Sequence, residues 1–118
     1  MTYYLRIVAA VAVLTALVLC VPVQAQTPEI DALRACAEAG GTEAQNNLGV
    51  MYGTGAGVPQ DYVQADMWFN VAVAQSSGED RDWRVRNRDI IAAKMTAEQI
   101  AEAQRLAREW DAAHPREP

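Results

Sequence analysis

The residues in this sequence that could do chemistry are few and scattered. The nucleophile candidates are Ser76, Ser77, the threonines and Cys36. An activated nucleophile needs a base within hydrogen-bond reach, and an esterase-type serine also needs a strained strand-to-helix turn. Ser76 and Ser77 stand instead in a Ser-Ser-Gly turn, where hydroxyls take up the last carbonyls of a helix. The single histidine, His114, lies in an Ala-His-Pro-Arg tail as a surface residue, far along the chain from Cys36 and without the converging partners a metal requires. Acidic residues are spread over faces at helix-pair spacing, a solvated pattern. These residues therefore assign no catalytic, metal-ligating or cofactor-binding role and imply no enzyme.

The glycine run Gly53-Thr54-Gly55-Ala56-Gly57 could cradle a phosphate, but a dinucleotide loop follows a strand and opens a helix on its third glycine. Here a helix precedes it, and Pro59, Gln60 and Asp61 follow, with Asp61 placed to repel an anion. The run is better explained as the corner between two helices. Before it, Ala44, Leu48 and Tyr52 recur at spacing four with Gly49 beside Leu48; after it, Ala65, Trp68, Phe69, Ala72 and Val73 recur at steps of three and four behind Asp61 as N-cap. Two amphipathic helices joined by so short a turn pack antiparallel, and neighbours must cover the hairpin.

Those neighbours are legible. Ile30, Leu33 and Ala37 predict a helix from Glu29, opened by Pro28, to Ala39, ended by Gly40-Gly41. Residues 79–95 are dense in charge, yet Trp83, Ile90, Ile91 and Met95 keep helical spacing, which predicts a helix packing through Trp83 and Ile90. Thr96 and Gln99 form a capping box for a last helix lined by Ile100, Ala103, Ala107 and Trp110, with Arg105 and Glu109 paired outside. The result is an all-α chain of about five helices, whose Gly- or Ser-rich breaks at Gly40 and Ser76 lie 36 residues apart, a solenoid period.

The N-terminus carries a different message. Arg6, the apolar run Ile7 to Val21 and Val23-Gln24-Ala25 predict a secretory signal peptide, residues 1–25, cut near Ala25 and implying a periplasmic or secreted product. A retained anchor is the alternative, although the run is about 15 residues where a span wants about 20. Leu19 before Cys20 is too large for a lipoprotein motif. Cleavage leaves 93 of 118 residues and moves the net charge from −5 to −6. That is one small domain, too acidic for a nucleic-acid or anionic-lipid face. Cys36 is then the one remaining cysteine, a small buried hydrophobe or one arm of an intermolecular disulfide.

The hairpin resembles the Sel-one-like repeat family, relatives of the tetratricopeptide repeat. Ala44, Gln45, Leu48, Gly49, Tyr52, Gly55, Gly57, Val58, Asp61, Ala65 and Trp68 match its pattern without a gap, with Ala72 and Ala74 in the tail. The resemblance implies a short right-handed α/α superhelix across residues 26–113: a partial repeat at 28–40, a full one at 42–76, a degenerate capping hairpin at 79–113, then a solvated tail at 114–118. The second repeat departs from the pattern, since Arg84 and Arg88 stand where Leu48 and Tyr52 stood. The cysteine pair that some members carry in each repeat is absent, so neither that disulfide nor the β-lactam chemistry ascribed to early members transfers.

What the resemblance implies about function is recognition without cofactors. In such solenoids the first helix of each pair lines a concave side that receives an unidentified protein or peptide. Asn46, Asn47 and Val50, opposite the Leu48–Tyr52 stripe, are the candidate contacts, together with Arg84 and Arg88 of the next first helix. Asparagine and arginine suit peptide amides and carboxylates; a merely solvated face is the competing explanation. A self-associating structural piece, as monomer or weak homodimer, and an envelope enzyme or small-molecule binder are the alternatives.

Overall fold

The structure, a computed structural model, describes residues 29–116. The expected signal peptide, Cys20, Pro28 and the last two residues lie outside the described residues. Five helices follow one another: α1 Glu29–Glu38, α2 Thr42–Thr54, α3 Tyr62–Ala74, α4 Gly78–Ala92 and α5 Ala97–Ala113. No strand occurs among the described residues.

The breaks form where local chemistry demands them. Gly40 takes φ 97° after α1 and Gly55 takes φ 75° as the cap of α2, conformations in which a Cβ is strained. The turn closes as the Asp61 N–H donates to the Tyr52 carbonyl at 2.9 Å. Asp61 then caps α3, its Oδ1 accepting from the Gln64 N–H at 3.1 Å. At α5 both arms of the capping box form: the Gln99 N–H donates to Thr96 Oγ1 at 3.1 Å, and the Thr96 N–H to Gln99 Oε1 at 2.9 Å. Arg105 pairs with Glu109 as the spacing predicts, and also with Glu102 at 2.6 Å.

α3 is the axis of the domain. It packs against α2, α4 and α5, while α1 packs on α2. The sequence suggests one apolar stripe on α3; the structure buries Ala65 to Phe69 and Val71 to Val73, with only Asn70 between them part-exposed, because three helices surround it. One core cluster joins Ala37, Leu48, Met67, Trp68, Val71, Ala103 and Ala107; a smaller one joins Ala65, Phe69 and Ile91; Tyr52 and Met95 touch both.

Gly49 decides how closely α2 and α3 approach, since a Cβ there would stand 2.7–2.9 Å from the Phe69 ring. Alanine in place of glycine improves a helix interior by about 1 kcal/mol, but overpacking a core costs about 1–3 kcal/mol. The clash should win: Gly49→Ala is expected to destabilise by about 1 kcal/mol in urea denaturation, and Phe69→Leu in the same chain to recover part of the loss. A stabilised Gly49→Ala would show that the ring moves freely.

The packing face of α4 differs from the one the sequence suggests. Trp83 and Ile90 are 48% and 60% exposed, whereas Ile91 is buried at 8%. The helix is turned by about one residue, or 100°, so that Arg84, Arg88 and Ile91 face α3 while Trp83 and Ile90 face outward. The reason lies on α3, whose facing surface carries Asp66 and is followed by Ser76: Arg84 Nη1 donates to Ser76 Oγ at 3.2 Å, and the charge of Arg88 acts on Asp66. A polar surface selects the polar face of its neighbour. Arg84 and Arg88 thus keep the inward register of Leu48 and Tyr52, 36 residues on.

Candidate interaction groove

Between α2 and α4 lies an open hollow of about 200 Å³ lined by Val50, Gly53, Thr54, Phe69, Asn87, Ile90, Ile91 and Lys94. Its floor is apolar and tightly set, since a Cβ on Gly53 would stand 2.9 Å from Ile91 Cδ1. Its polar lining residues are Asn87, Thr54, whose hydroxyl already donates to the Val50 carbonyl at 2.8 Å, and Lys94, whose ammonium lies 5.9 Å from the centre of the Tyr62 ring. Such a site can hold an apolar side chain and hydrogen-bond the backbone on either side of it.

Of the residues singled out from the sequence, Val50 lines this hollow and is 42% exposed. Asn47 is half-buried on the same helix. Asn46 is not on the outer face, being 3% exposed, and its Oδ1 has no hydrogen-bond partner among the described residues. Arg84 and Arg88 turn to α3 rather than to the hollow, with Arg88 also paired to Asp89 at 3.0 Å. Asn87, Ile90 and Lys94 take their place. One phase error on α4 displaced both sets, inward for Trp83 and Ile90 and outward for the arginines.

Two buried polar residues support the architecture. Gln45, fully buried, donates from Nε2 to the Ala37 carbonyl at 3.0 Å and accepts at Oε1 from Gln75 Nε2 at 2.8 Å, so one side chain ties the ends of α1 and α3 to α2. Asp66, 1% exposed, accepts from Asn70 Nδ2 at 3.0 Å through Oδ2, while Oδ1 has no hydrogen-bond partner among the described residues. Burial pushes its carboxyl above the usual range; Arg88 and Asn70 oppose the shift and Asp89 adds to it.

The sign follows directly. A carboxyl whose folded pKa lies above its unfolded value binds its proton more tightly in the folded state, so its protonation adds stability as pH falls through the folded pKa toward the unfolded one, and that stability is lost as pH rises. Asp66→Asn keeps the shape and removes the charge. It is expected to equal or exceed the wild type in stability at about pH 7, with the gap closing toward about pH 4, near the free carboxyl value. Denaturation curves at both pH values test this, and a large loss in the variant at neutral pH would show that the Arg88 attraction dominates.

A larger hollow, about 500 Å³, is lined by Glu38, Ala39, Gly40, Gln75, Trp110, His114, Pro115 and Arg116. The expectation that His114 sits in a solvated tail does not hold: it is half-buried and stacks on Trp110 at 4.0 Å. Glu38 Oε2 accepts from Trp110 Nε1 at 3.2 Å and lies 3.6 Å from His114 Nε2, and Arg116 Nη1 donates to the Ala74 carbonyl at 2.8 Å. The polar groups here serve one another, so this corner fastens α5 to α1 rather than presenting free groups to a ligand. Cys36, next to the fully buried Ala37, is half-buried.

Among the described residues no group of three or more His, Cys, Asp and Glu side chains could hold a metal ion, and no helix is long and apolar enough to cross a membrane. No protein-family profile matches the chain, and no curated protein is similar to it. A solved structure is similar: that of a protective antigen present in uropathogenic Escherichia coli strains, displaying an SLR fold, with 32% identity over 75% of this chain and a TM-score of 0.66. The match spans 18% of the length of that antigen.

Proposed function

We propose, from the premise that this chain is an all-α protein of the Sel-one-like repeat type, that it works as a non-catalytic protein-interaction module of the bacterial cell envelope, exported by its N-terminal apolar segment. The observation that carries the reading is the groove between α2 and α4. Val50 and Ile90 stand exposed beside a cleft floored by Phe69 and Ile91, with Asn87 and Lys94 at its rim. Asn47 and Val50 from α2, with Asn87, Ile90 and Lys94 from α4, are the proposed contacts; Asn46, Arg84 and Arg88 support them from within.

Crosslinking of the exported chain in cells, followed by mass spectrometry, tests the reading. Val50→Asp with Asn87→Ala is expected to empty the set of crosslinked proteins while leaving the fold unchanged by circular dichroism. An unaltered partner set in a folded variant would refute the groove as the working surface. Fractionation of the untagged product checks the location, and recovery in the cytoplasm alone would overturn export.

A further inference from the structure

The outward face of α4 carries a pattern that the packing of the domain does not use. Glu79, Trp83, Arg86, Asn87, Ile90 and Lys94 fall within about 100° of one another around the helix axis. Lys94 belongs to the stripe because its N–H donates to the Ile91 carbonyl at 2.9 Å, which prolongs the helical turn past Ala92. All but the half-buried Asn87 are exposed. The large apolar side chains that stand exposed among the described residues are Val50, Trp83 and Ile90, two of them on this stripe and Val50 across the groove from Ile90. Read along the helix, the order is acid, apolar, polar pair, apolar, base, and it complements itself when reversed.

We propose that the groove-side face of α4 binds a second copy of the same chain, with the two α4 helices antiparallel across a twofold axis between Arg86 and Asn87. In that register Trp83 meets the partner's Ile90, Arg86 meets the partner's Asn87 and Glu79 meets the partner's Lys94, each contact occurring twice by symmetry. A parallel register would set Glu79 against itself and Lys94 against itself. The hollow of about 200 Å³ beside Ile90 has room for one aromatic side chain, so the partner's Trp83 fills it against Val50 and Phe69 and buries the exposed apolar groups together. A tryptophan anchored in a pocket and flanked by charge pairs is how compact interfaces concentrate their affinity. The inference rests on the groove being the working surface and adds an occupant.

Sedimentation of the full chain, expressed for export and purified as the cell delivers it, tests the pairing over a concentration series. A monomer–dimer equilibrium is expected. Glu79→Lys and Lys94→Glu should each weaken association by roughly tenfold, since each places two like-charge pairs in the interface, and the double variant should restore it. Trp83→Ala should abolish the dimer while its thermal melt stays at that of the monomer, because the residue is half exposed. A monomer at every concentration, a dimer indifferent to Trp83→Ala, or a charge-reversed double variant as weak as the singles would each overturn the proposal. A monomer whose crosslinks to a different protein vanish with Val50→Asp would overturn self-pairing and leave the groove reading standing.

Discussion

Truncating Trp68 to alanine is expected to remove about 3–5 kcal/mol of stability. In a domain whose whole margin is about 5–15 kcal/mol, that is much of what holds it together. Trp68 is 3% exposed and belongs to the cluster that also takes Ala37 from α1, Leu48 from α2 and Ala103 and Ala107 from α5. Its ring meets Trp110 edge-on, with centroids 6.1 Å apart, so the cavity would open among four helices, and the small alanines around it cannot collapse to fill it. Thermal and urea melts measure the loss. Coincident melts for Trp68→Ala and wild type would mean that the cluster does not carry the fold. Trp68→Phe keeps most of the apolar volume and should lose less than half as much.

The second large effect is expected at Gln45, where Gln45→Ala should cost about 2–3 kcal/mol. A neutral hydrogen bond contributes only about 0.5–1.5 kcal/mol net, but a buried group left without its partner costs about 1–3 kcal/mol. The substitution takes one partner each from the Ala37 carbonyl, which still accepts from the Gly40 N–H at 3.1 Å, and from Gln75, which still donates to the Val71 carbonyl at 3.3 Å, so most of the loss comes from emptying a fully buried site. Gln75→Ala removes one arm only and should cost less. The double variant should cost clearly less than the sum of the singles, because the two side chains share one bond. Additive losses would show that they act independently.

Much of the fold is legible in the sequence because its punctuation is local. The glycines at 40, 55 and 57, the Asp61 cap and the Thr96–Gln99 box each involve residues within a few positions of one another, and each forms as its chemistry demands. The rotation of α4 is not local. Judged alone, Trp83 and Ile90 are better core residues than Arg84 and Arg88, and only the polar surface opposite, with Asp66 and Ser76, reverses that ranking. The candidate site inherits the same difficulty. Val50 is recoverable from its place opposite Leu48, whereas Asn87, Ile90 and Lys94 become visible once α4 is turned. Asn46 illustrates the converse, since a polar side chain opposite an apolar stripe reads as solvated, whereas the fold leaves it 3% exposed. One signal for the rotation does exist in the sequence: the 36-residue shift places Arg84 and Arg88 on the register of Leu48 and Tyr52, so the repeat itself marks them as inward.

The seam between α3 and α4 also sets how the domain breathes. Among the described residues Ile91 is the one buried side chain of α4, and on the same face Arg84 is held by a hydrogen bond to Ser76 that water can replace. Opening free energy follows buried apolar contact, so the amides of α4 should exchange with solvent well before those of α3. The helix that carries half of the groove is thus the one held in place most lightly. Whatever occupies the groove should leave its mark first as slowed exchange along residues 79–92, a record of occupancy written in a helix that the empty protein holds only in part.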